Sequence, residues 1–327
     1  MTDSTAVLVP AASTTPLPAL DPEVADRLNS YLRDGKAEAT WRAYEGDLRR
    51  FQTWCGEHGR GSLPADVETV AAYIDDLAER GYAVATIGRR LTSIAWAHKT
   101  AGHEPPTEHQ LVRQVMRGVR RRLGVAQRQV EPIVGDVLRT MVEPLGDRLA
   151  DVRDRALLLV GFAGAFRRSE VVSLDVDDVR EVTEGLRVML RRSKGDQEGE
   201  GAELGIPYGS NPETCPVRAY RAWLAASGIA AGPIFRPVDR HGHLGATRLQ
   251  GRAVAAMIKR RVAAVGLDPA VYSGHSLRAG LCTEAASSGV AERDIMRQSR
   301  HKSLPMVRRY IRAGSVFRDN AAAACGL

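Results

Sequence analysis

Seven side chains between residues 167 and 310 have types and spacings that packing does not explain. In "GAFRRSE" an arginine pair follows the most apolar run of the chain, "ALLLVGFAGAF" at 156–166. Arg167 therefore sits at the edge of a buried segment, with Glu170 three residues on as its orienting partner. Burying a guanidinium without a partner costs several kcal/mol, which leaves a plain buried ion pair or an anion site as the two readings. "SGHSLRAG" sets His275 and Arg278 three apart, on one face in the first turn of a helix beginning near Ser273. A helix start attracts anions and disfavours an arginine unless an anion is bound there, so the pair reads as a phosphate clamp. "SRHKSLPMVRRYIR" contributes His301 and Tyr310, and the Gly- and charge-rich "SKGDQEG" contributes Lys194. Taken singly, His301 is a helix cap, Tyr310 an amphipathic core residue and Lys194 a solvated turn lysine. Taken together, the set supplies what phosphoryl transfer without a metal ion requires. Charge developing on the non-bridging oxygens of a phosphodiester can be met by two arginines and an imidazole. A phenol can attack phosphorus and hold the bond energy in a covalent intermediate. A lysine on a hairpin can protonate the departing sugar oxygen. Cys55, Cys215, Cys282 and Cys325 stand far apart, with no C-x-x-C pair and no histidine spacing for zinc, so no metal or other cofactor is expected.

Elements of two kinds must position these groups. From Asp21 to Gly124 the periodicity is helical only. "TWRAYEGDLRRFQTWC" repeats Trp41, Tyr44, Leu48, Phe51 and Cys55 with Thr40 as N-cap, and the next two segments repeat Val67, Val70, Ile74, Leu77 and then Ile87, Leu91, Ile94. The fourth, "TEHQLVRQVMRGVRRRLG", places Leu111, Val115, Val119 and Leu123 on one face. Residues 125–133 lack a period and read as a linker. The second domain, 134–327, opens with helices near 134–143 and 151–165. A β-hairpin follows, in which Leu186, Val188 and Leu190 alternate on one strand and Leu204 and Ile206 on the other, with Lys194 at the turn end. Helices then resume to the end.

The chain has 327 residues and 44% hydrophobic composition, enough for two cores. No apolar run is long enough for a transmembrane helix. Residues 1–20 lack a basic n-region and are broken by Pro10, Pro16 and Pro18. They read as a disordered polar tail rather than a signal peptide, and a cytoplasmic protein without membrane attachment is expected. The net charge is +7. Between 110 and 128 stand Arg113, Arg117, Arg120, Arg121, Arg122 and Arg128 without one acid, and Arg42, Arg49, Arg89 and Arg90 lie opposite the apolar seams of earlier helices. Like charges on one stripe repel, and arginine's planar fork suits phosphate. Double-stranded DNA is the expected partner.

These boxes resemble those of the tyrosine recombinase (phage integrase) family. The likeness runs in order through "GAFRRSE", the hairpin lysine, "GHSLR" and "RHKSLPMVRRY", with His301 nine positions before Tyr310, and spans roughly residues 24–316. The resemblance implies a mainly α fold, with an N-terminal helical-bundle core-binding (SAM-like) domain and a C-terminal α+β catalytic domain with a small β-sheet. Together these would form a C-shaped clamp on DNA. It implies site-specific recombination through a 3′-phosphotyrosine and a Holliday junction, on a target with inverted-repeat arms. The assembly implied is a homotetramer on synapsed DNA and a monomer or weak oligomer when free. Tyr310 would be the nucleophile, Arg167, Arg278 and His301 would hold the phosphate, and Lys194 would protonate the 5′-oxygen. His275 would assist proton movement and Glu170 would orient Arg167. Thr40, Arg42, Thr86, Arg89, Arg90, Arg117, Arg121 and Arg252 match positions where members of the family touch DNA. Arg300 departs from the family, which usually has glycine before the histidine; it is expected to alter the turn or add a phosphate contact. A type IB topoisomerase uses a similar chemical set, but the first domain, whose segments resemble those of the recombinase family, argues against it.

Overall fold

The computed structural model describes residues 21, 23, 24, 27, 30, 31, 34–125, 130–191 and 201–314, the last four as backbone only. It divides into two compact units, with the boundary between residues 128 and 129.

The first unit contains α1 (Glu38–Glu57), α2 (Val67–Glu79), α3 (Val84–Thr100), a short 3₁₀ turn (Pro106–Glu108) and α4 (Gln110–Leu123). Their apolar stripes meet in one core around Phe51, Trp54, Val70, Tyr73, Ile74, Ile87, Ile94 and Met116. Asp66 caps α2 by accepting from the Thr69 N–H at 2.5 Å, in keeping with the preference for a short acid there. Three expectations are corrected. The first helix starts at Glu38, so Thr40 lies inside its first turn and does not cap it. In α4 the core is met by Val112 and Met116, with Val115 and Val119 at its edge, while Leu111 and Leu123 are exposed. Adjacent helical positions differ by about 100° around the axis, so the apolar residues of this helix offer two overlapping stripes, and spacing alone does not choose between them. The third correction concerns Arg90, which does not face outward. It is 6% exposed, donates to the Tyr73 hydroxyl at 2.9 Å and stacks on the Tyr82 ring.

The second unit contains α5 (Gly135–Val142), α6 (Leu149–Ala163), α7 (Arg168–Ser173), strands β1 (Val179–Val182), β2 (Gly185–Leu190) and β3 (Ala202–Pro207), then α8 (Pro216–Ser227), α9 (Gly251–Ala264), α10 (Ser276–Ser287), α11 (Glu292–Ser299) and α12 (Leu304–Gly314). The sheet is antiparallel in the order β1-β2-β3, with Leu186 opposite Ile206 and Val188 opposite Leu204. The alternation of the hairpin is thus realised, and β1 is added through Val179 opposite Val188. Its four residues, Val-Arg-Glu-Val, are too few for alternation to register as a strand. Helix α6 is buried along most of its length, with an apolar C-terminal half from Ala156 to Ala163, and is the central helix of the unit, packed by α5, α7, α8 and α10. Its two buried charges are matched: Arg153 donates to Asp154 at 2.7 Å, and Arg261 of α9 donates to the other Asp154 oxygen. Ile133, read as linker, is fully buried in this core, and its N–H donates to Ser276 at 2.9 Å. That approach needs Gly280 on α10, where a Cβ would lie 1.8 Å from the Ile133 carbonyl oxygen.

Candidate active site

Four elements of the second unit bring the chemical groups together. The first is the turn after α6. Ala165 takes a left-handed conformation, φ +46°, and the Phe166 ring folds over Gly164, where a Cβ would come within 2.2 Å of it. This tight reversal delivers Arg167 to the N-terminus of α7. Glu170, 2% exposed, accepts the Arg167 backbone N–H with Oε2 at 2.9 Å and binds the Arg167 guanidinium with Oε1. Burial pushes the Glu170 carboxyl up. The Arg167 N–H and the charges of Arg300 and Arg167 outweigh that and hold it below the usual range, so it is an anion.

The second element is α10. It begins at Ser276 rather than near Ser273, which leaves His275 at the N-cap and exposed, while Arg278 turns inward at 2% exposure. Arg278 Nη1 donates to the Ala165 carbonyl at 2.8 Å, and its buried Nη2 has no partner among the described residues. Desolvation first, and then the like charges of Arg167 and Arg300, lower its pKa to about 10.

The third and fourth elements are α11 and α12. The α11 helix ends in left-handed Arg300, φ +55°, and the reversal sets His301 into the same pocket at 7% exposure. Ser299 Oγ lies 2.6 Å from the Ile295 carbonyl and 2.7 Å from His301 Nδ1. A serine has one proton, and the carbonyl only accepts, so that proton goes to Ile295. His301 must then donate its Nδ1–H to Ser299, which leaves Nε2 of the neutral ring as an acceptor. Burial and the charges of Arg278, Arg167 and Arg300 lower the His301 pKa to about 3. Tyr310 of α12 is half-buried against Cys282, Ala286, Ile295 and Val307, with its ring centroid 5.6 Å from that of His301. Burial raises its pKa, and Arg278, Arg309 and Arg167 pull the other way, which puts the phenol within electrostatic reach of both clamp arginines.

A consequence for stability follows from His301. The unfolded residue titrates near 6.5 and the folded one near 3. As pH falls below 6.5 the unfolded chain takes up a proton that the folded chain refuses, so stability is lost in that window. Between pH 7 and pH 5 the protein is expected to lose about 2 kcal/mol more than its His301→Gln variant. Urea midpoints at the two pH values measure the difference, and equal losses would refute the burial of a neutral imidazole.

The structure gathers Arg167, Glu170, Arg278, His301 and Tyr310, with His275 at the mouth of the same helix. Lys194 lies outside the described residues. Of the residues matched to DNA contacts, Arg42, Arg89, Arg117, Arg121 and Arg252 are exposed and Thr40 and Thr86 half-buried. Arg89 is tied to buried Asp47. Arg90 is withdrawn from that set by its burial. Sequence reasoning missed Ser299, whose role appears only through the hydrogen-bond count. It found Arg300 as a departure but not its destination, which is described below.

The described residues are consistent with what comparison reveals. Residues 132–315 match the phage integrase family model, and residues 25–104 match the phage integrase N-terminal SAM-like domain. An integrase/recombinase XerD homologue of Selenomonas ruminantium is 42% identical over 294 residues, covering 89% of this chain and 86% of the relative. The recombinase Cre of Escherichia phage P1 is 27% identical, covering 91% of each. Among solved structures, the Tn1549 transposon integrase in complex with transposon right end DNA superimposes with a TM-score of 0.62 at 15% identity, over 88% of this chain and 92% of that one. XerH site-specific recombinase bound to its palindromic difH substrate gives a TM-score of 0.60 at 15% identity, over 80% and 73%. These two likenesses speak for the fold, and the sequence matches place the chain in the phage integrase family of tyrosine recombinases.

Proposed function

We propose that this chain is a site-specific DNA recombinase that cuts and rejoins strands through a 3′-phosphotyrosine, working as a tetramer through a Holliday junction and without a metal ion. The observation that carries the reading is the pocket itself, in which the buried Arg278 and the partly buried Arg167 and Arg300 share one carboxylate beside a tyrosine and a neutral imidazole. A surplus of buried positive charge is costly unless an anion joins it, and a backbone phosphate is an anion of the right charge and shape for two arginine forks.

In this mechanism Arg167 and Arg278 hold the non-bridging oxygens. The bound phosphate offsets the cations that press the His301 pKa down, so Nε2 can take the Tyr310 proton and then donate it in a hydrogen bond to phosphate. The Tyr310 oxygen forms a bond to phosphorus as the bond to the 5′-oxygen breaks. Lys194 gives that oxygen its proton, and His275, at the α10 N-terminus, assists proton movement. Reversal with a 5′-hydroxyl from another strand rejoins the DNA.

The experiment is recombination in a test tube. Duplexes bound by the protein are selected from random sequence, and two copies of the recovered site are placed on one plasmid. Excision or inversion between them, according to their orientation, is the expected product. Relaxation of plasmids lacking the site, with no recombination on plasmids carrying it, would reject the reading in favour of a topoisomerase.

The exposed arginines of the first unit, together with Arg252, are proposed to meet the DNA backbone. Arg117→Ala is then expected to lower the slope of log affinity against log salt by about 1, because one fewer counterion is displaced. Arg90→Gln is expected to leave the slope unchanged and to lower the melting temperature instead. A smaller slope for Arg90→Gln would return that residue to the interface.

A further inference from the structure

We propose that Arg300 is a positioning residue that fixes the anchors of both phosphate-binding arginines. The inference rests on the recombinase reading above and adds to its machinery a side chain that reaches neither phosphate nor tyrosine.

The position carries two local penalties. A left-handed backbone with a Cβ is disfavoured by about 1 kcal/mol or more, and Arg300 and Ala165 are the non-glycine residues that adopt one among those described. A third guanidinium in a pocket that holds one carboxylate also raises the repulsion. The side chain is 11% exposed, so solvent screens little of this.

Its hydrogen bonds show what offsets these penalties. Arg300 Nη2 donates to Glu170 Oε2 at 3.0 Å and to the Ala165 carbonyl at 3.2 Å. Nη1 donates to the carbonyls of Gln298 at 2.7 Å and Gly164 at 3.1 Å. The guanidinium lies 5.2 Å from the centroid of the Phe166 ring. Glu170 is the anchor of Arg167, and the Ala165 carbonyl is the anchor of Arg278, whose Nη1 donates to it at 2.8 Å. One planar fork therefore grips both anchors at once. It does so from the residue next to His301, so the corner that carries the imidazole is tied to the turn that carries Arg167. With both terminal nitrogens directed at carbonyls and a carboxylate, and Nε–H buried without a partner among the described residues, Arg300 acts through Glu170 and Ala165.

Glycine tolerates the left-handed backbone, so Arg300→Gly removes the fork with little strain at the turn. Covalent-adduct formation on a nicked suicide duplex of the selected site, at saturating protein, is expected to slow about 30-fold, with DNA affinity within about twofold of the parent. Arg300→Lys restores the charge but not the fork, and is expected to recover less than about fivefold of that loss. In a Glu170→Gln background, where the anchor is weakened, Arg300→Gly is expected to cost less than about threefold more. A rate for Arg300→Gly within about twofold of the parent would overturn the proposal. So would full recovery with lysine, which assigns the effect to charge alone, or an undiminished cost in the Glu170→Gln background. Absence of adduct with the unsubstituted protein is a different result, since it refutes the recombinase reading from which the proposal starts. Circular dichroism of each variant separates all of these from misfolding. Should Arg300→Gly unfold, the lysine variant alone decides: parental rates would overturn the proposal and slowed cleavage with parental affinity would support it.

Discussion

Tyr310→Phe is expected to form no covalent adduct with DNA, a loss of at least about 10⁴ in rate, while binding its site with an affinity within about twofold of the parent. The change removes one oxygen and keeps the ring, which packs on Cys282, Ala286, Ile295 and Val307 and lies beside His301. The fold of the pocket is therefore retained. The oxygen has no substitute there, because burial keeps the phenol protonated until an acceptor is provided, and His301 Nε2 is the acceptor left open by Ser299. Denaturing gels of protein incubated with a suicide duplex read the adduct, and filter binding reads the affinity. A persistent adduct in the phenylalanine variant would remove Tyr310 from the chemistry.

Arg278→Met should have the second largest effect, about 10³ in cleavage rate, from loss of a donor to the phosphate in a dry pocket. Its effect on folding is expected to have the opposite sign. Arg278 is 2% exposed and its pKa is pressed down to about 10 by desolvation and by Arg167 and Arg300. A cation whose pKa is lowered by folding costs stability at neutral pH, and methionine fills much of the same space without the charge. The Ala165 carbonyl keeps a donor in Arg300. Stability should be unchanged or higher by about 1 kcal/mol, a trade of stability for function seen where sites carry uncompensated charge. Urea denaturation beside single-turnover cleavage measures both. A variant that cleaves normally, or one that loses several kcal/mol, would contradict the clamp.

Much of this was legible in the chain because the signals were local. Helical periodicity found the stripes of α1, α2 and α3, and alternation found the β2–β3 hairpin. Arg167 with Glu170, and Arg278 with His301 and Tyr310, stood out as charged or polar groups beside apolar seams. What escaped depends on contacts distant in sequence. Whether Val112 or Leu111 of α4 faces inward is decided by neighbours on other helices. Arg90 is indistinguishable from Arg89 as text, yet one reaches the Tyr73 hydroxyl inside the core and the other Asp47 from the surface. Arg300 could be seen as an arginine where glycine was expected. That its fork crosses to Glu170, 130 residues away, requires the left-handed turns at both ends to be in place.

The most direct test of the central idea is to trap the protein on a nicked duplex of its selected site, digest the adduct and locate the attached nucleotide by mass spectrometry. The expected result is a single modified peptide in which the Tyr310 oxygen carries the 3′-phosphate of the cleaved strand, with a free 5′-hydroxyl on the released fragment. Attachment at any other residue, linkage through a 5′-phosphate, or cleavage without attachment would contradict the account.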